Sequence, residues 1–511
     1  MIDGIPQFEF TGSYTDIRKY AEEAVVFFDD KMKTLFTGVD MRNAVSFVCR
    51  SARANQTPGH WPGNLVYQII CGACAYGDLE LGGVPVDNVT EARNVVASLT
   101  NPVHLLGMND LNDINMFMQA VGREQFGYQH QVSQQEIGRY KWIYRQLFPK
   151  NLTGALQRKL CADPCDIIYA SQIFCMAFFN EVFESPISRV AADLVRFKVL
   201  PWHSMLLFEY VGVTVGQIRK YYHDRLQNIE DRVFFWADRP LLVSRPLIML
   251  DSENFICPFP EILPRAVYKR MGDLVRSDNA LSNGFGLAFQ RYTQLLLEDL
   301  SNSVISFPDE ESRKESRCDF RVELPGGVLY VEAKAVRVSH DKLSPRLIQE
   351  DSSTKRVAEA AIQMAASIER EDERRYGIVI VDDYIYDTHT SWYRSMYKNV
   401  SPESADAISH FDDRFLVWSH HDLELLVMLC NATGETAVEL LEQYFEQDEH
   451  LRGDWRVWIS NRYSTVDIRV IPWVRNMADI LEADFSGPGM TYVDRELFRA
   501  DDLVARFRCF S

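Results

Sequence analysis

The stretch CDFRVELPGGVLYVEAKAV, residues 318–336, contains two strand-like runs, Asp319–Leu324 and Val328–Val336, joined through Pro325-Gly326-Gly327. Side chains alternate along a strand. Asp319, Arg321 and Glu323 therefore share one face of the first run, and Phe320, Val322 and Leu324 share the other. On the second run Glu332 and Lys334 point to one face, while Val331 and Ala333 point the other way, toward a covering helix. Charged residues inside an apolar strand need partners, because burying an unpaired charge is costly. If Gly326-Gly327 form a two-residue turn, Pro325 pairs with Val328 and Asp319 with Lys334, so that Asp319, Glu332 and Lys334 lie on one face. A three-residue turn puts Asp319 on the opposite face from Glu332 unless a bulge intervenes.

Two carboxylates beside an amine suit Mg²⁺-dependent hydrolysis of phosphodiesters. Hard Mg²⁺ takes one or two carboxylates together with water and phosphate oxygens. It stabilises charge on the phosphate and makes its bound water more acidic. Lys334 would orient or deprotonate the attacking water, or neutralise the transition state. The tripeptide acid-x-Lys is weak by itself, since about two are expected by chance in such a chain. It occurs at Asp29-Asp30-Lys31, in a helical pattern among solvent-type charges, and at Glu332-Ala333-Lys334, in an apolar strand. The plain alternative for the second is a structural ion pair at a sheet edge.

Outward from this stretch, Phe285–Leu300 reads as an amphipathic helix with Phe289, Tyr292, Leu296 and Leu300 on one stripe. A charged loop follows from Ser306 to Ser316. A second helix is expected from about Thr354 to Arg370, with Val357, Ala361, Met364 and Ile368 on one face. Tyr376–Val381 is apolar throughout, as in a strand buried on both faces, and Phe415–Trp418 is similar. A helix around Leu423–Cys430 comes next. The order is that of an α/β domain.

The run CDF-x11-VEAKA resembles the PD-(D/E)xK, or restriction-endonuclease-like, nuclease superfamily. The resemblance covers about residues 285 to 419 and implies an α/β nuclease core of order αβββαβ. It implies Asp319, Glu332 and the backbone carbonyl of Ala333 as ligands of Mg²⁺, for which Mn²⁺ would substitute, and Lys334 as the catalytic lysine. It also implies nucleic acid as substrate, DNA ahead of RNA, and a product with a 5′-phosphate. Cys318 stands where the proline of the motif belongs, and Pro308-Asp309 is a literal match in a polar loop with no strand after it. Many members carry a glutamate in a run like Gly286-Leu-Ala-Phe-Gln-Arg-Tyr292; here Gln290 replaces it, which argues against a second metal. Glu298 could compensate only if the helix were rotated. Gln363, in AAIQMAA, matches a glutamine often found near the site in this superfamily. A helical region ahead of a nuclease core is similar to bacterial nucleases, some tied to defence against phage. Such a layout allows a homo-oligomer or an activating partner. The other reading is a catalytically inactive nuclease-like fold that serves as a nucleic-acid-binding or assembly module.

The rest of the 511 residues is ordinary in composition, with 47% apolar and 25% charged residues. Residues 1–240 read as mostly helical, 241–284 as a strand hairpin (LIML and FICPF) with a linker helix, 285–430 as the core, and 431–511 as an acidic extension. The net charge is −18, and residues 401–511 carry 21 acids against 10 arginines. A basic surface for nucleic acid elsewhere in the chain therefore stays open. Arg245, Arg265, Lys269, Arg270 and Arg276 cluster ahead of the core. No apolar run is long enough to span a membrane, and no leader peptide is read, so a cytoplasmic protein with reduced thiols is expected. Cys71-x-x-Cys74 and Cys161-x-x-x-Cys165 could each be half of a metal or redox site, but packed core thiols are the expectation. His60, His104, His130, His203 and His223 are isolated in sequence and are expected to be surface or core residues.

Overall fold

The computed structural model describes residues 14–54, 63–78, 86–103, 134–178, 184–188, 195, 199, 201–227, 241–306, 317–336, 352–369, 374–382, 401–412, 414–447, 455–469 and 471–474. The fold is mixed α/β. It opens with helices α1 (Tyr14–Phe36), α2 (Met41–Ala54), α3 (Gly63–Tyr76) and α4 (Val86–Val103). Helix α5 (Gln134–Trp142) runs into one turn of π-helix, Ile143–Leu147, and α6 (Thr153–Leu160) and α7 (Pro164–Phe178) follow. Helices α8 (Pro201–Val211), α9 (Val215–Gln227) and α10 (Leu241–Ser244) complete this half. It also contains short strands that the helical reading lacked. Strands β1 (Glu184–Pro186) and β2 (Gly212–Thr214) join β3 (Leu247–Met249) and β4 (Asn254–Ile256) in a sheet of order β1-β4-β3-β2. The pair β3–β4 is the expected hairpin.

Helix α11 (Leu263–Arg276) leads to α12 (Asn279–Leu300). The Asp278-to-Gly284 segment, with its Asn, Ser and Gly, looks like a loop in sequence, yet α12 begins at Asn279. The Asp278 carboxylate accepts from the N–H groups of Ala280 and Leu281 at 3.0 and 3.1 Å, so the polar cluster caps the helix and enters it.

A five-stranded sheet follows, in spatial order β5 (Val304–Ser306), β6 (Phe320–Leu324), β7 (Gly327–Lys334), β8 (Arg375–Val381) and β9 (Phe415–Ser419). The β5–β6 and β6–β7 pairs are antiparallel, while β7–β8 and β8–β9 are parallel. Helix α13 (Ser352–Ala366) connects β7 to β8, and α14 (Pro402–Ser409) precedes β9. Helices α15 (His420–Thr433), α16 (Ala437–Phe445) and α17 (Trp455–Arg462) close the described chain.

The register corrects the expected turn. Leu324 pairs with Gly327, so Pro325 and Gly326 are the central turn residues. Pro favours the first central position, and Gly326 takes φ +90°, which suits the second position of a type II turn. Relative to the expected pairing the register moves by two residues, so every side chain keeps its face. Asp319 then lies opposite Glu332, one step beyond the Phe320–Val331 pair, and not opposite Lys334.

The sheet is buried on both faces. Phe320, Val322, Val331, Ile378, Ile380 and Trp418 pack with Phe285, Phe289, Tyr292 and Leu296 of α12. Tyr330, Val379, Val381 and Val417 pack with Val357, Ala361 and Met364 of α13 and Ile408 of α14. The first of these apolar clusters extends from Ile137 to Val474 and takes in α5 to α8, α11, α12 and α15 to α17 together with strands β3, β4 and β6 to β9. The first four helices and α9 form a second cluster with Ile248, Leu250 and Ile256.

Candidate active site

Because β6 runs against β7, β8 and β9, its amino end lies at the edge where the three parallel strands end. In open α/β sheets this carboxyl edge is where ligands bind. Asp319 precedes β6 there, and Glu332, Ala333 and Lys334 close β7. Asp319 is 7% exposed and Glu332 2%. The Asp319 N–H donates to Glu332 Oε2 at 2.8 Å, and the Ala333 N–H donates to Asp319 Oδ2 at 2.8 Å. The N–H and C=O of a strand residue point to the same side, so the Ala333 carbonyl is turned toward Asp319 as well.

Helices from both faces reach this edge. Gln290 of α12 donates its amide to Asp319 Oδ1 at 2.7 Å. Lys334 Nζ bonds Glu332 Oε1 and donates to Gln363 Oε1 of α13 at 2.8 Å. Gln290, Asp319, Glu332, Ala333, Lys334 and Gln363 thus form one continuous hydrogen-bonded chain. Burial pushes the Glu332 carboxyl up to about 7, with the Asp319 charge adding to the rise and Lys334 opposing it.

Cys318 is wholly buried, and burial pushes its thiol up to about 12. Its backbone N–H donates to Ser367 Oγ at 2.7 Å, and Ser367 Oγ donates to the Gln363 carbonyl at 2.8 Å. A proline at this position could not make the first bond. Ser367 therefore ties the end of α13 to the start of β6. Its spacing of four residues from Gln363 is the signal that could have found it.

Asp382 was also overlooked. It follows β8 at the same edge, accepts from Tyr268 Oη at 3.2 Å, and pairs with Arg276, whose guanidinium stands 5.1 Å from the Phe285 ring centre. An acid directly after the apolar run Tyr376–Val381 is the sequence signal for it.

Other sequence candidates lie elsewhere. Glu298 bonds Gln294 and Arg291 and does not reach the edge. In the basic cluster, Arg265 is engaged by both oxygens of Glu136 at 2.8 Å and Arg276 by Asp382, while among the described residues no carboxylate pairs with Arg245 or Arg270. Pro308-Asp309, His60, His104 and His130 lie outside the described residues. His203 is buried, which pulls it down to about 4, and His223 packs edge-on against Tyr76. Cys71 and Cys74 are buried in α3, Cys74 beside the Met41 sulfur, and burial pushes Cys71 up to about 12. Cys165 is buried as well, while Cys161 is exposed.

The donor set can be tested against Mg²⁺. Two carboxylates and a carbonyl are hard oxygens of the kind Mg²⁺ takes, with water filling the remaining positions. Each of the four carboxylate oxygens accepts a hydrogen bond from within the site, so a cation would share these oxygens with their donors or displace them. Among the described residues no group of three or more His, Cys, Asp or Glu is gathered as a metal cage. The chemistry fits one Mg²⁺ with a large water share. No described helix is long and apolar enough to cross a membrane. Comparison with protein families, with curated proteins and with solved structures finds no match.

Proposed function

We propose that the protein is a cytoplasmic, metal-dependent nuclease that hydrolyses phosphodiester bonds, of DNA ahead of RNA, and that its task belongs to bacterial defence. The observation that carries this reading is the convergence of Asp319, Glu332 and Lys334 with Gln290 and Gln363 on one sheet edge. The order α12, β5, β6, β7, α13, β8 is helix, three antiparallel strands, helix, strand, which supports a restriction-endonuclease-like core.

A bound Mg²⁺ supplies charge stabilisation at the phosphate and a more acidic water. Asp319, Glu332 and the Ala333 carbonyl would hold it. Gln290 fixes the rotation of the Asp319 carboxylate, and the Ala333 N–H fixes its second oxygen. Lys334 brings the ammonium that orients the attacking water and offsets charge on the phosphate. Gln363 holds that ammonium on the α13 side.

The second reading, a nuclease-like module that binds nucleic acid without cutting it, is favoured by Gln290. It contributes an N–H donor to Asp319 where a carboxylate would add ligand charge. The two readings separate in one experiment. Purified protein is incubated with supercoiled plasmid, single-stranded DNA and RNA in Mg²⁺, Mn²⁺ or EDTA, beside Lys334→Ala. Cleavage that needs metal and disappears in the variant is expected; cleavage unchanged by Lys334→Ala overturns the assignment.

A further inference from the structure

The site holds two carboxylates and one ammonium within a buried edge. Glu332 Oε1 accepts from Lys334 Nζ, and Glu332 Oε2 accepts from the Asp319 N–H. Among the described residues Lys334 has two partners, Glu332 Oε1 and Gln363 Oε1. A divalent cation ligated by Glu332 and an ammonium bonded to the same carboxylate carry like charges and compete for the same oxygens. Removing the ammonium with nothing in its place leaves a buried carboxylate pair uncompensated. One cation therefore takes over as the other leaves.

We infer that Lys334 is the resident cation of the metal-free site, and that a divalent ion loads by exchange, the ammonium leaving Glu332 for Gln363. The inference rests on the metal-centre reading above and adds the path by which the centre fills. Gln363 is suited to receive the ammonium. Its amide oxygen already stands 2.8 Å from Lys334 Nζ, on a helix end held to β6 through Ser367 and Cys318. It offers a neutral acceptor, so the ammonium keeps a hydrogen bond after giving up its ion pair. Gln363 is thus a positioning residue that acts on the metal through Lys334 without touching it.

The test is Mn²⁺ binding by calorimetry on the full chain, with melting profiles in EDTA to verify that each variant is folded. Lys334→Met removes the competitor and is expected to bind Mn²⁺ about tenfold more tightly, the scale of coupling between groups in direct contact. Gln363→Leu removes the receiving acceptor, keeps Lys334 on Glu332, and is expected to weaken binding several-fold. In the double variant the Gln363→Leu effect should vanish, because no ammonium remains to be received. A merely structural role for Gln363 predicts instead the same loss in both backgrounds. Lys334→Met binding no more tightly than the wild type, or a Gln363→Leu effect that persists without Lys334, overturns the exchange while leaving the metal centre standing. No Mn²⁺ binding in any variant overturns both.

Discussion

Replacing Gln290 by glutamate changes one N–H donor into an oxygen and tests how the site balances charge. The amide nitrogen stands 2.7 Å from Asp319 Oδ1, so Gln290→Glu brings two carboxylates together with no proton between them. Charge centres about 4 Å apart repel by about 4 kcal/mol at an effective dielectric constant of about 20. The hydrogen bond to a charged acceptor, worth about 1.5–3 kcal/mol, is lost as well. The pair can escape part of this by holding a proton, so the net loss in EDTA at pH 8 should be about 2–4 kcal/mol. Gln290→Ala loses the bond without adding charge and should lose less. At about 1–2 °C per kcal/mol for a chain of this length, Gln290→Glu should melt roughly 2–8 °C below the wild type in EDTA. Saturating Mg²⁺ should close most of that gap, since the added carboxylate becomes a ligand and binding to the native state raises its stability. Melting followed by tryptophan fluorescence, with and without Mg²⁺, reads both effects. A variant as stable as the wild type in EDTA, or one whose deficit Mg²⁺ leaves unchanged, would refute the reasoning.

Three further outcomes follow from the rest of the structure. Arg139 of α5 pairs with Glu424 of α15, whose side chain is 0% exposed and also accepts from Tyr292 Oη at 2.6 Å. Arg139→Met should cost about 3–5 kcal/mol in denaturant unfolding, and Arg139→Met combined with Glu424→Leu should recover most of it. Burial pushes Glu332 up to about 7, so the native state holds a proton that the unfolded chain releases near the ordinary glutamate value of 4.5. Stability in EDTA should therefore fall as pH rises from about 4.5 to 7, and Mg²⁺ affinity, which calorimetry reads, should rise across the same window. A Cβ on Gly138 would meet Val474 Cγ1 at 2.5 Å and the Val474 carbonyl oxygen at 2.8 Å. Gly138→Ala should destabilise by about 1–3 kcal/mol despite the better helix former, and unchanged unfolding would contradict the packing of residues 471–474 on α5.

The central α/β order was legible because its elements obey simple periods. Phe289, Tyr292 and Leu296 recur at helical spacing, and all three are buried against the sheet. Tyr376–Val381 is apolar at every position because α12 and α13 cover both faces. The even-length turn was the condition for Asp319 and Glu332 to meet, and the structure meets it with a different pair of turn residues. Pro325 has no N–H to give, which moves the turn toward it. Strand β5 escaped notice because Val304–Ser306 is three residues long and half exposed, so alternation had nothing to act on. The contribution of α5 was illegible for another reason. Glu136, Arg139 and Tyr140 look like surface helix residues, but their partners Arg265 and Glu424 lie 129 and 285 residues away. No local pattern reports an ion pair of that separation. The same holds for Cys318 and Ser367, joined by a backbone N–H that composition does not reveal.

The most direct measurement is the rate of plasmid cleavage as a function of Mg²⁺ concentration, for wild type and Asp319→Asn side by side at matched melting profiles. Asp319→Asn keeps the shape and removes the charge that would hold the cation. The account predicts cleavage that saturates with Mg²⁺ in the wild type and a loss of at least about a hundredfold in the variant, the scale on which removing one transition-state contact acts. Equal rates in the two proteins, or cleavage that persists in EDTA, would contradict it.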